Sequence, residues 1–130
     1  MDIRIENISQ SELEDLLSTA TYGSSWLECH ILKSESNLDN QQEFQCREEH
    51  WAYRLLNGGH LVCCDHYDED EDDENNPVEH IISMEDFYKG LEKANELFPD
   101  TFANVMRGEG DYYDADAVMQ VVLFGKMIYG

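Results

Sequence analysis

His60-Leu61-Val62-Cys63-Cys64-Asp65-His66-Tyr67, then Asp68-Glu69-Asp70-Glu71-Asp72-Asp73-Glu74, then Asn75-Asn76-Pro77 and Val78-Glu79-His80-Ile81-Ile82: this stretch decides the fold. Its first part carries Leu61, Val62, Cys63 and Cys64 in a short apolar run, the composition of a strand. Asn75-Asn76-Pro77 is a turn signal, and Val78 to Ile82 pairs back as the second strand of a hairpin. Upstream, Arg47 to Asn57 sets Trp51 with Leu55 and Ala52 with Leu56 at helical spacing, and Gly58-Gly59 stops that helix. Downstream, Ser83 with Asp86 caps a helix bearing Met84, Phe87, Tyr88, Leu91, Ala94 and Leu97. Pro99-Asp100 restarts a short turn or helix through Phe102, Val105 and Met106, and Asp114 to Phe124 is a last apolar helix before the tail Gly125 to Gly130.

Further out, Ser34 to Gln42 is polar and reads as a loop, and Ser25 to Lys33 suits a strand. Ser9-Gln10-Ser11-Glu12 is a capping box opening a helix over roughly 10–20, with Leu13, Leu16, Leu17 and Ala20 on its apolar side and Gly23 at its stop. Ile3 and Ile5 alternate in a short strand over residues 1–8. The sum is α+β: one domain with a small antiparallel sheet of about three strands packed against about four helices.

Charge is the outlier in the composition. The chain has 130 residues, with 29 Asp and Glu against 8 Lys and Arg, for a formal net charge of −21. Its apolar content of 42% is enough for a core, which argues against wholesale disorder. Direct nucleic-acid or anionic-membrane binding is disfavoured, because both need a basic footprint. A basic protein surface, or a cation, is the complement. The N-terminus lacks the basic and apolar regions of a signal peptide, and no apolar run reaches the length of a membrane span. Cytoplasmic is the expected location, with Cys29, Cys46, Cys63 and Cys64 as reduced thiols packed as small hydrophobes.

Between Arg54 and Lys89 there is no Lys or Arg, and the window is densely acidic. One reading makes residues 68–77 a solvated, mobile hairpin loop held extended by its own repulsion. The other is a DNA mimic, whose carboxylates offer a phosphate-like array to a nucleic-acid-binding protein. Duplex DNA carries one charge per roughly 1.7 Å of axis, so 21 charges match about 36 Å. The candidate contacts are Asp65, Asp68, Glu69, Asp70, Glu71, Asp72, Asp73 and Glu74, with Glu109, Asp111, Asp114 and Asp116. Tyr112 and Tyr113 join them as interface anchors, a role balanced against core packing. The acidic excess extends to Glu12, Glu14 and Asp15 on the first helix.

A calcium reading uses the same loop, since Asp68, Asp70, Asp72, Glu74, Asn76 and Glu79 fit an EF-hand frame. Asp73 stands where that frame needs Gly, and seven acids in a row satisfy almost any acid spacing. His60, Cys63, Cys64 and His66 lie close together, but alternation on a strand turns Cys63 away from the other three. Cys46 and His50 sit four apart, on one helical face. No cofactor or dedicated metal site is expected, and no G-x-S-x-G, phosphate loop or HExxH motif is present, so an enzyme is not expected.

The stretch Asp114-Ala115-Asp116-Ala117-Val118-Met119-Gln120-Val121-Val122-Leu123-Phe124-Gly125-Lys126-Met127-Ile128-Tyr129-Gly130 resembles the ending of small acidic bacteriophage and prophage proteins. Thr19-Ala20-Thr21-Tyr22-Gly23 before Trp26 is similar to their first-helix exit. The resemblance implies a phage context, in which small acidic proteins include anti-restriction and anti-CRISPR inhibitors that mimic DNA. It carries no activity onto particular residues.

Overall fold

The computed structural model describes residues 7–70 and 73–129, and of 68–70 and 73–77 the backbone alone. The strand expected over residues 1–8 therefore falls mostly outside the described residues. Along the described chain the order is α1 (Gln10–Thr21), β1 (Leu27–Ile31), a 3-10 helix (Lys33–Asp39), α2 (Arg47–Leu56), β2 (His60–Asp70), β3 (Asp73–Ser83), α3 (Met84–Leu97), α4 (Pro99–Met106) and α5 (Tyr112–Phe124). The architecture is α+β. Five α-helices, where about four were expected, pack against one antiparallel sheet ordered β1-β2-β3.

Period-two alternation decides which sheet face is covered. Leu27 and Cys29 of β1, Leu61 and Cys63 of β2 and Ile82 of β3 point into the core, while Glu28, His30, Glu79 and Ile81 are exposed on the other face. Cys29 stands directly opposite Cys63 across β1 and β2, with the sulfurs 3.8 Å apart. The helices close over the covered face with Leu13, Leu16 and Leu17 of α1, Phe87 and Leu91 of α3, and Val118, Met119 and Val121 of α5.

Local chemistry explains the element ends. Ser9 and Glu12 form the expected reciprocal box at the start of α1, and Ser83 with Asp86 does the same for α3. Asp111 and Asp114 form a third such box, so α5 starts at Tyr112, two residues before the expected Asp114. The hairpin also departs from expectation. Its strands run through the acid run as far as Asp70 and resume at Asp73, with an irregular register between Asp65 and Asp70, so the loop is shorter than 68–77. Nothing in an acid's backbone forbids a ladder, and side-chain repulsion alone does not set where pairing stops.

The expected loop over Ser34 to Gln42 is mostly the 3-10 helix, and a buried cation explains why. Arg54 of α2 is 1% exposed. Its Nε and Nη2 donate to the two Asp39 carboxylate oxygens at 2.6 and 3.0 Å, and its Nη1 donates to the Leu32 carbonyl at 2.6 Å. Glu35 accepts from the His60 backbone N–H at 2.9 Å and lies 2.8 Å from His60 Nδ1. Both ends of the polar segment are thereby tied to α2 and β2 by side chains, which no apolar periodicity would announce.

Candidate interaction surface

The surface is best built from the positions where acids sit on rigid elements. Gln10 opens α1, and its Nε2 donates to the Glu49 carbonyl in the first turn of α2 at 3.0 Å. Glu14 lies four residues beyond Gln10 on the same helical face, so it too is aimed at the start of α2. Carboxylate oxygens of Glu14 and Glu49 and the sulfur of Cys46 all fall within 4.8 Å of one another. On the other flank of α1, Asp15 reaches Gly108 at the α4–α5 corner, where Glu109 is exposed. A shallow cleft of about 300 Å³ between α1 and α2 is lined by Ser11, Glu14, Asp15, Ser18, Cys46 and Glu48.

Cations do not neutralise this surface evenly. Arg54 is consumed inside the fold, Arg47 pairs with Glu48 at 2.9 Å, Arg107 with Glu109 at 3.5 Å, and Lys89 with Glu85 at 3.4 Å. Among the described residues, no Lys, Arg or His lies within 4.0 Å of the carboxylates of Glu14, Asp15 or Glu49. Burial works against ionisation of Glu48, and the hydrogen bond and charge of Arg47, a backbone hydrogen bond and the Cys46 thiol together outweigh it, leaving that carboxyl below its usual range.

The residues singled out from the sequence divide into three groups. Asp65 is withdrawn from any contact surface. It is fully buried, accepting the Tyr129 hydroxyl at 2.5 Å and the Tyr67 backbone N–H at 3.0 Å. Period two explains this, since Asp65 follows Leu61 and Cys63 on the core side of β2. Asp116 is likewise engaged internally, accepting from Trp26 Nε1 at 2.6 Å and from Gln120 Nε2 at 2.7 Å. Gln120 in turn accepts the backbone N–H groups of Ile128 and Tyr129, so these two acids fasten the C-terminal tail.

Asp111 and Asp114 cap α5 while staying partly open to solvent, and Tyr113 is 78% exposed with half-buried Tyr112 packed edge-on against it. Glu109 is exposed. The side chains of Asp68, Glu69, Asp70, Asp73 and Glu74, and the whole of Glu71 and Asp72, lie outside the described residues, as does most of the EF-hand frame. That frame is carried between two paired strands rather than between helices.

The thiols and imidazoles do not gather. His60 bonds to Glu35, His66 Nε2 lies 2.7 Å from Glu28, and His50 lies 3.0 Å from Asp39 and stacks on Phe44. The hydrogen bond with His66 is the largest influence holding Glu28 below its usual range. The contact with Cys29, together with burial, pushes the Cys63 thiol well up, and burial pushes Cys64 up, as expected of unreactive core thiols. Cys46 departs from the expected buried role: it is exposed at the N-cap of α2. No described helix is long and apolar enough to cross a membrane.

Comparison with protein-family models, curated proteins and solved structures finds no match to this chain.

Proposed function

We propose that this chain is a non-catalytic acidic interaction protein that binds the basic surface of a nucleic-acid-binding protein. One observation carries the reading: Glu14, Asp15 and Glu49 are held on capped or cross-linked helices with no described cation within ion-pair reach, beside Glu48 and Glu109. Fixed charges are what a mimic of the phosphate backbone needs, because a partner that releases counterions from DNA gains in the same way from a rigid acidic array. The hairpin acids Asp68 to Glu74 add long-range attraction. In its sharper form the proposal is a phage-type inhibitor of a restriction, CRISPR or other nucleic-acid enzyme, supported by the sequence resemblance and by charge of this magnitude.

The test starts with the tagged chain as bait in host extract at low salt, eluted with rising salt. A nucleic-acid enzyme is expected, its affinity falling steeply with ionic strength and competed by duplex DNA. Joint replacement of Glu14 and Glu49 by Gln and Asp15 by Asn should weaken that complex at least about tenfold, since interfacial charges removed together lose both steering and contact. Recovery of nothing salt-sensitive, or of a partner that DNA does not displace, sinks the proposal. If replacing Asp70, Glu71, Asp72 and Asp73 with Ser weakens binding and the helix variant does not, the contact moves to the hairpin.

A further inference from the structure

Cys46 and Glu49 occupy the N-cap and third positions of α2, the spacing at which a capping box brings two side chains face to face. Here the N-cap is a thiol and accepts no capping hydrogen bond. Glu14 comes from α1, brought across by the Gln10 contact one turn earlier. Three donors from two helices therefore converge within 4.8 Å, at the mouth of the cleft that Ser11, Ser18 and Glu48 also line.

We propose that Glu14, Cys46 and Glu49 form a binding site for a thiophilic divalent cation of the zinc class. In a tetrahedral zinc site, sulfur at about 2.3 Å and oxygens at about 2.1 Å lie roughly 3.4–3.6 Å from each other. Contraction by about 1 Å from the observed limit reaches that geometry, and all three side chains are open enough to solvent to make it. The thiolate selects zinc over calcium and magnesium, which prefer all-oxygen shells. Two carboxylates and a thiolate bring three negative charges to the ion, and the thiol proton leaves to solvent on binding. The fourth position is open to water, since the nearby Glu48 carboxylate is paired with Arg47. The positive end of the α2 dipole opposes the cation but favours the thiolate beneath it, and the net charge of −21 outweighs a half-charge. This site is separate from the acidic hairpin but shares Glu14 and Glu49 with the proposed contact surface. Cys46→Ser, which removes the thiolate and leaves both carboxylates in place, separates loss of the cation from loss of the partner.

Cobalt(II) is the probe, added to the reduced full-length chain in excess magnesium so that scattered carboxylates are already occupied. Binding with one-to-one stoichiometry and a sulfur-to-cobalt charge-transfer band is expected, with the band abolished by stoichiometric zinc. Cys46→Ser should remove the band, and Glu14→Gln with Glu49→Gln should lower affinity by at least about tenfold. Cys46 is exposed, so the folded state survives its replacement, as circular dichroism would verify. A band that persists in Cys46→Ser, or cobalt bound without any sulfur band, overturns the site.

Discussion

Asp65 and Asp39 show how differently two carboxylates are used in one acidic chain. Asp65 is buried without a cation and relies on donors, chiefly the Tyr129 hydroxyl. Tyr129→Phe removes that donor and leaves a desolvated acceptor, which costs about 1–3 kcal/mol. In an Asp65→Asn background the same change should cost less, because an amide needs the donor less than a carboxylate does, and a double-mutant cycle by urea unfolding measures the difference. Asp39 instead faces Arg54, whose hydrogen bonds are the largest influence holding its carboxyl below the ordinary 3.8, with His50 adding to them against the opposing effect of burial. A folded-state value below the unfolded one means that the folded state binds fewer protons. The pair therefore stabilises above about pH 3.9, and its contribution is lost as pH falls through the lower folded value. Arg54→Met should cost about 3–5 kcal/mol near neutrality by stranding Asp39, and should reduce the loss of urea stability below pH 4. An unchanged acid slope would show that the other depressed carboxyls, Glu28, Glu35, Glu48 and Asp86, carry it alone.

At the scale of elements, the crossing of α3 over α5 is the tightest constraint. A Cβ on Gly90 would lie 2.4 Å from the Val122 Cα and 2.9 Å from its Cγ2, contacts that backbone cannot yield to without the helices parting. Two effects oppose each other in Gly90→Ala. Alanine gains about 1 kcal/mol of helix propensity, and overpacking costs about 1–3 kcal/mol or more. The clash is with backbone rather than a flexible tip, so a net fall in Tm is expected by thermal circular dichroism, and a rise would mean that the helices do not approach this closely. The same scale shows what the sequence makes legible. Local rules place α1, α2, α3, α4 and the hairpin, because capping boxes, glycine stops and apolar spacing act within a few residues. They miss the 3-10 helix, whose order comes from Arg54 and His60 more than ten residues away. The Asp111–Asp114 box is visible in retrospect as an Asp-x-x-Asp before an apolar run, and its acids read equally well as surface charge. At the candidate site, Asp65 and Asp116 look like surface acids until the C-terminal tail folds back on them. The Glu14–Cys46–Glu49 group needs α1 and α2 side by side, and only its Cys-x-x-Glu half is visible in sequence.

For the whole molecule, the charge that equips the surface for a basic partner also strains the fold, and salt should separate these two consequences by sign. With a net charge of −21, compaction brings like charges together, while among the described residues the exposed ion pairs that screening would weaken are few and each is worth at most about 1 kcal/mol. Repulsion therefore dominates the long-range electrostatics. The screening length falls from about 30 Å at 0.01 M salt to about 10 Å at 0.1 M and about 3 Å at 1 M, so most of the repulsion between exposed acids is removed within the first few tenths molar. The midpoint of urea unfolding should rise with sodium chloride and then level off. Urea is the suitable denaturant because guanidinium would itself screen. A plateau marks screening, whereas a linear rise continuing to molar concentrations would mark surface exclusion of the salt. A midpoint that fell with salt would mean that local ion pairs outweigh the global repulsion. Over the same range any complex with a basic partner should loosen, because there the screened interaction is an attraction. One titration thus strengthens the folded chain and weakens its proposed complex, a pairing that a binding surface built on apolar contact would not produce.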